Sequence, residues 1–259
     1  MNDWIGRHVG RTIGAVALGL LLVSAIPTSG ALAQPDIEAD QEIAQSLSAM
    51  LQAARGVISR HQGDINDPNR ADKGLTADVV LTETVASYLA ATGEDPRSLD
   101  PASREGRLIA AQMDAIAEVM DTNQSLINTQ GLGFKGFIPA VFARLINEAF
   151  ERRVGDEAVV KVTAPPELVR NRRSRPDTWE AEVIATRLRD PAWKRGTPFA
   201  TMTNQDGRPA FRMMVPEYYG ASCLSCHGNP KGSMDITGYP REGAAEGDLG
   251  GVISITLLP

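Results

Sequence analysis

The chain has 259 residues, 42% hydrophobic and 22% charged, with 26 Lys and Arg against 32 Asp and Glu, two cysteines and three histidines. That is enough apolar sequence for one large or two small globular domains, and it excludes a disordered chain or a disulfide-dense scaffold. A pI near 5.2 argues against nucleic acid as a partner.

At the N-terminus, Arg7 and Arg11 precede an uncharged apolar run over 13–26, followed by Gly30, Ala31, Leu32 and Ala33. This is the three-part layout of a secretory signal peptide, with cleavage expected after Ala33. The run reaches only about two-thirds of the way across a hydrocarbon core of roughly 30 Å, so stable membrane insertion is not expected. No cysteine follows it, which excludes a lipoprotein anchor. The expectation is a mature protein of residues 34–259, soluble and periplasmic or otherwise exported.

From Asp36 a long amphipathic helix is predicted, with Ile43, Leu47, Met50, Ala54 and Val57 on one face and His61 at its end. The stripe suits either packing on its own domain or a homodimer. Gly63 to Gly74 is dense in turn formers and reads as a loop. A second helix is expected with Thr76 as N-cap and a stop near Gly93. A third has Asp100 as N-cap and Pro101 at its first position, with Leu108, Met113, Ile116 and Met120 as its stripe. Gly131, Gly133 and Gly136 mark a connection to a helix over 138–152 carrying Phe142 and Phe150.

The pattern changes after Val154. Ala158 to Thr163 reads as a strand ended by Pro165 and Pro166, and Pro176 to Leu188 as a helix. Two strands, Phe199 to Thr203 and Pro209 to Val215, flank a four-residue connection from Asn204 to Gly207, and Gly251 to Leu257 forms a last strand. The expected class is α+β: an antiparallel sheet with flanking helices over 154–259, after a long, mainly helical region over 34–153.

Both cysteines fall in Cys223-Leu224-Ser225-Cys226-His227. C-x-x-C-H is the attachment signature of c-type haem: the two thiols add to the haem vinyl groups, and the adjacent imidazole of His227 binds iron as the proximal ligand. Gly228 would leave room beside the ring. A closed zinc site lacks ligands, because His61 is the only other histidine of the mature chain. A thioredoxin-like dithiol would sit between a strand and a helix of a βαβ unit, whereas here a loop rich in Gly, Ser and Pro is expected. A local disulfide is the remaining alternative. The expected cofactor is one covalent haem c.

For the sixth position at iron the candidates are His61, Met213, Met214, Met234 and Lys231, or an open site. His61 has the sharpest case, as a histidine on an apolar helix face. Among Arg170, Arg172, Arg173 and Arg175, one or two could pair with haem propionates, Arg170 foremost, and the others suit a solvated loop. Tyr218, Tyr219 and Tyr239 flank the motif, and Tyr239 could pack on the ring edge or bind a propionate.

The chain resembles the Tll0287-like haem domain family, also called DUF3365. The resemblance rests on Asn66-Asp67-Pro68 with Lys73 to Thr76, Pro139 to Phe142, Glu167 to Asn171, Phe211 to Tyr219 running into Cys223 to His227, Gly238-Tyr239, and Gly247-Asp248 to Thr256. It implies a PAS-like sheet holding one covalent haem, with Cys223 and Cys226 as attachment residues and His227 as proximal ligand. It also implies use as an extracytoplasmic sensor module, with a small ligand or a partner protein. An electron-transfer cytochrome with a redox partner protein is the alternative. A peroxidase-like enzyme ranks last, since no distal acid–base pair is evident in the sequence.

Overall fold

The computed structural model describes residues 37–259; the export signal read in residues 1–33 lies outside them. Helix α1 (Ile37–Arg60) buries Ile43, Leu47, Met50, Leu51, Ala54, Val57 and Ile58 along one face. The stripe that also suited a dimer is thus buried within the chain. One further turn, α2 (Gln62–Ile65), takes up the start of the stretch read as a loop, and Ile65 is fully buried beneath it. Helix α3 (Ala77–Thr92) starts as predicted, with the Thr76 hydroxyl accepting from the Val79 N–H, and stops at Gly93. There φ of +83° and an N–H donated to the Leu89 carbonyl form a left-handed cap that favours glycine.

Helix α4 (Arg104–Ile127) begins later than expected, because its N-cap is Ser103 rather than Asp100. Asp100 and Pro101 instead make the preceding turn. The Asp100 carboxylate accepts from the Ala102 N–H and its carbonyl from the Ser103 N–H. Asp followed by Pro suits the first two positions of a β-turn as well as a helix start, and here the turn prevails. Helix α5 (Pro139–Val154) carries Pro at its first turn and buries Phe142, Ile146, Ala149 and Phe150.

The four strands are β1 (Ala158–Thr163), β2 (Phe199–Gln205), β3 (Arg208–Tyr218) and β4 (Leu249–Leu257), all antiparallel in the order β1-β4-β3-β2. The last strand therefore lies between the first strand and the hairpin. The hairpin connection is two residues rather than four, since Asn204 and Gln205 stay paired with Pro209 and Arg208. Asp206 and Gly207 turn at φ of +52° and +85°, the pair of left-handed conformations that an Asp-Gly turn supplies.

One sheet face meets the helices: Phe211, Met213, Ile253, Ile255 and Leu257 join the core built by α1, α3, α4 and α5. The other face packs Met214 and Val252 against Val183, Ile184 and Leu188. These last belong to helix α6 (Thr178–Val183) and the π-helical turn that continues it (Ile184–Leu188). Asp177 and Glu180 form a capping box at the start of α6. Because both faces are covered, every residue of β4 from Val252 to Leu257 is buried, and Met213 and Met214 fill opposite cores. The fold is α+β with an N-terminal helical region, as expected.

The segment between β3 and β4, which carries the cysteine motif, leaves and rejoins the sheet at one point. The Tyr219 N–H donates to the Asp248 carbonyl at 2.9 Å, and the Gly247 N–H to the Tyr219 carbonyl at 2.7 Å. No helix among the described residues is long and apolar enough to cross a membrane.

Candidate haem-attachment site

The cysteine motif is helical rather than the open loop expected. A 3-10 turn over Ala221–Cys223 runs into one helical turn, α7 (Leu224–His227). Spacings of three and four on such a turn bring Cys223, Cys226 and His227 to one side of it. Both cysteines are free and partly exposed. Gly228 is needed for a close backbone approach: a Cβ there would lie 2.6 Å from the Leu224 carbonyl oxygen. Its N–H donates to that carbonyl at 2.9 Å and caps the turn. No group of three or more His, Cys, Asp or Glu placed to hold a metal ion is found among the described residues.

His227 is held from one side. Its Nδ1 lies 2.9 Å from Glu242 Oε2 and 3.2 Å from the Tyr219 hydroxyl, and the Tyr219 ring stacks on the imidazole at 4.8 Å between centroids. A carboxylate only accepts, so in the neutral ring the hydrogen bond to Glu242 assigns the proton to Nδ1 and the lone pair to Nε2. The Tyr219 phenol is pushed up to about 12 by its burial and the nearby Glu242 charge, so it stays neutral beside the ring.

Glu242 is in turn gripped by Arg170, which donates from Nε to Oε1 at 2.8 Å and from Nη2 to Oε2 at 3.0 Å. Arg170 also donates from Nη1 to Asp235 at 2.6 Å and from Nη2 to the Cys226 carbonyl at 2.9 Å. Burial pushes the Glu242 carboxyl up, but hydrogen bonds from Arg170, its own backbone N–H and His227 together outweigh this and hold it below its ordinary value. Asp235 is held far below the usual carboxylate range. Burial opposes ionisation there, and the Thr237 hydroxyl, Arg170 and two backbone N–H groups overcome it. Tyr239 lies against Arg170, whose guanidinium carbon is 5.5 Å from its ring centroid, and donates from its hydroxyl to the Arg170 carbonyl at 3.4 Å.

A second ion pair abuts the motif. Arg55 on α1 donates from Nη1 to both carboxylate oxygens of Glu217 on β3, and its Nε is buried with no partner among the described residues. Burial alone would lower the pKa of this guanidinium, but Glu217 and the neighbouring Cys223 keep it raised. Behind Tyr219 and Glu242 opens a cleft of about 590 Å³, also lined by Leu188, Trp193, Tyr218 and Asp248.

The structure thus gathers Cys223, Cys226, His227, Arg170 and Tyr239. Arg170 stands beside the histidine, with its nitrogens engaged by Glu242, Asp235 and the Cys226 carbonyl. Arg172, Arg173 and Arg175 are exposed. His61 is placed elsewhere: its Nε2 is 3.0 Å from Glu83 on α3, and its Nδ1 is 3.4 Å from Asp64. Met234 is exposed. Sequence reading did not single out Glu242, Asp235, Arg55 or Glu217. Arg170, Tyr218, Tyr219 and Tyr239 are legible as candidates from the sequence.

These residues fit a haem. The thiols are free, the imidazole has one nitrogen fixed and the other available, and the carboxylate behind it is the partner that metal-ligating histidines commonly use. No curated protein and no solved structure matches the chain significantly. A family profile described as Tll0287-like (Tll0287) matches residues 96–257, from the turn before α4 through the last strand. That match covers more than half of the chain, which therefore belongs to the Tll0287-like family of haem-binding domains.

Proposed function

We propose that the chain is an exported, single-haem c-type protein that serves as a redox-sensing or small-ligand-binding module. The observation that carries this reading is the free pair Cys223 and Cys226 on the same helical turn as a histidine whose Nδ1 is fixed by Glu242. In it, Cys223 and Cys226 hold the cofactor by thioether bonds and His227 Nε2 is the proximal ligand. Bound haem supplies an iron centre that exchanges one electron or takes a small ligand.

The chain's own residues do the rest. Glu242 and Tyr219 hold the imidazole at a set angle, and Arg170 holds Glu242 and the Cys226 carbonyl together. The α1 helix, through Arg55 and Glu217, anchors the strand end that leads into the motif. The secretory layout of residues 1–33 supports a periplasmic or otherwise exported location.

A second reading, electron transfer to a redox partner protein, is favoured by one observation: both cysteines are partly exposed, so a ring attached to them has an edge near solvent. Expression with a c-type haem maturation system tests the central claim. Haem is expected to stay on the polypeptide after denaturation and to be lost in Cys223→Ala/Cys226→Ala; a haem-free wild-type chain overturns it. Carbon monoxide binding to the reduced protein favours the ligand-binding module, and an unchanged spectrum favours electron transfer.

A further inference from the structure

We propose that Arg170 is a positioning residue for His227, acting through Glu242 to set the donor strength of the imidazole and hence the reduction potential of the site. This rests on the proposed function, since it takes His227 Nε2 as the ligand.

Two donors share one acceptor atom. Glu242 Oε2 receives both the His227 Nδ1–H at 2.9 Å and the Arg170 Nη2–H at 3.0 Å, while Oε1 receives Arg170 Nε at 2.8 Å. A carboxylate that accepts from the Nδ1–H of a ligating imidazole makes that imidazole a stronger base and donor. A guanidinium forked onto the same carboxylate draws off part of that negative charge. It remains charged at any working pH and matches the carboxylate geometry with two parallel bonds.

Arg170 is also kept from swinging away. Its Nη1 is tied to Asp235, whose side chain is fully buried and also accepts from the Thr237 N–H and hydroxyl and from the Tyr239 N–H. Its Nη2 also reaches the Cys226 carbonyl, one residue before His227. The ring face of Tyr239 closes over the guanidinium. The push of Glu242 on His227 is therefore graded by a cation anchored to the motif itself.

Opposite signs follow for the two partners. In Arg170→Met the Glu242 charge is undivided, the ferric state gains and the potential falls. In Glu242→Gln the acceptor is a neutral amide, the ferric state loses and the potential rises. Replacing a group that hydrogen-bonds a metal-bound histidine typically changes affinity by at least about tenfold. A tenfold change in the ratio of affinities for the two oxidation states reads as about 59 mV for one electron. Arg170→Lys keeps the charge without the fork, and its shift is expected to lie between wild type and Arg170→Met. Asp235→Asn leaves the Arg170 charge less compensated and is expected to raise the potential without touching His227.

The test is spectroelectrochemical titration of the wild type and these four variants, with ¹⁵N NMR of His227 in the haem-free chain. The NMR arm expects Nδ1–H in the wild type and a shift toward Nε2–H in Glu242→Gln. Shifts of the same sign in Arg170→Met and Glu242→Gln, or shifts below tenfold with covalent haem retained, overturn the proposal. If Arg170→Met does not accumulate folded, Glu242→Gln and Asp235→Asn decide it, and unchanged potentials in both count against it. A wild type without covalent haem refutes the proposed function instead.

Discussion

Glu242 Oε2 stands 2.9 Å from His227 Nδ1, across a stretch of fifteen residues that folds back on the imidazole. Tyr219 supports the same ring from its face, and the Tyr219 ring rests against the backbone of Gly250. A Cβ at Gly250 would lie 2.5–2.7 Å from three Tyr219 ring carbons. Gly250→Ala is therefore expected to cost about 1–3 kcal/mol of stability, the range for overpacking a closed site. Urea unfolding checks it. Much of the loss should be recovered in Gly250→Ala/Tyr219→Leu, because the two positions share one space.

The Arg55–Glu217 pair links the helical layer to the end of β3, with side chains 23% and 18% exposed. Replacing Glu217 by Gln leaves a largely buried guanidinium without its counter-charge and is expected to cost about 1.5–3 kcal/mol. The apolar pair Arg55→Met/Glu217→Leu should cost less than that single change, because breaking such a pair is worse than replacing it. Chemical denaturation of the three proteins decides the order.

Acid sensitivity should centre on Asp235. Its folded pKa lies below the unfolded value, so the folded chain binds fewer protons there than the unfolded one. Its contribution is complete above the ordinary aspartate pKa of about 4 and is lost as pH falls through the depressed folded value. Stability of the wild type should drop over the acid range below about pH 5. Asp235→Asn should show a flatter profile over the same range and lower stability at pH 7, measured by urea midpoints across pH.

Helix α1 is part of the sheet's own core, since Leu47, Met50, Leu51, Ala54 and Val57 are fully buried in the cluster that includes Met213, Ile253 and Ile255. Leu47→Ala should cost about 2–5 kcal/mol, as for other fully buried leucines. Removing residues 37–60 should leave a chain without cooperative unfolding, seen as loss of the near-ultraviolet circular dichroism signal.

The sequence made the periodic elements legible. Apolar spacing predicted α1, α4 and α5, and Thr76 and Gly93 bounded α3 at the observed caps. Strand β1 matched residue for residue. Boundaries failed where one residue type serves two purposes. Asp100-Pro101 suits a turn as well as a helix start, and Asn204-Gln205 looks like a turn until its cross-strand partners are known. The cysteine–histidine motif was legible because its chemistry is local: two thiols and an imidazole within five residues. The support of His227 was not, because Glu242, Arg170 and Asp235 meet across separations of up to 72 residues with no spacing that betrays it. Both arginines that matter at the site, Arg55 and Arg170, gain their roles only from partners that the fold delivers.

The whole motif-bearing segment departs from Tyr219 and returns at Asp248, where two backbone hydrogen bonds close its neck beside the paired strands β3 and β4. The register of those strands is set by their own ladder and by the core on both faces. The motif-bearing part is tied to this antiparallel pair at its neck and to the stretch before α6 through Arg170, which bonds Glu242, Asp235 and the Cys226 carbonyl. The surroundings of the imidazole are thus fixed at two places far apart in the chain, at the strand ends that form the neck and at Arg170.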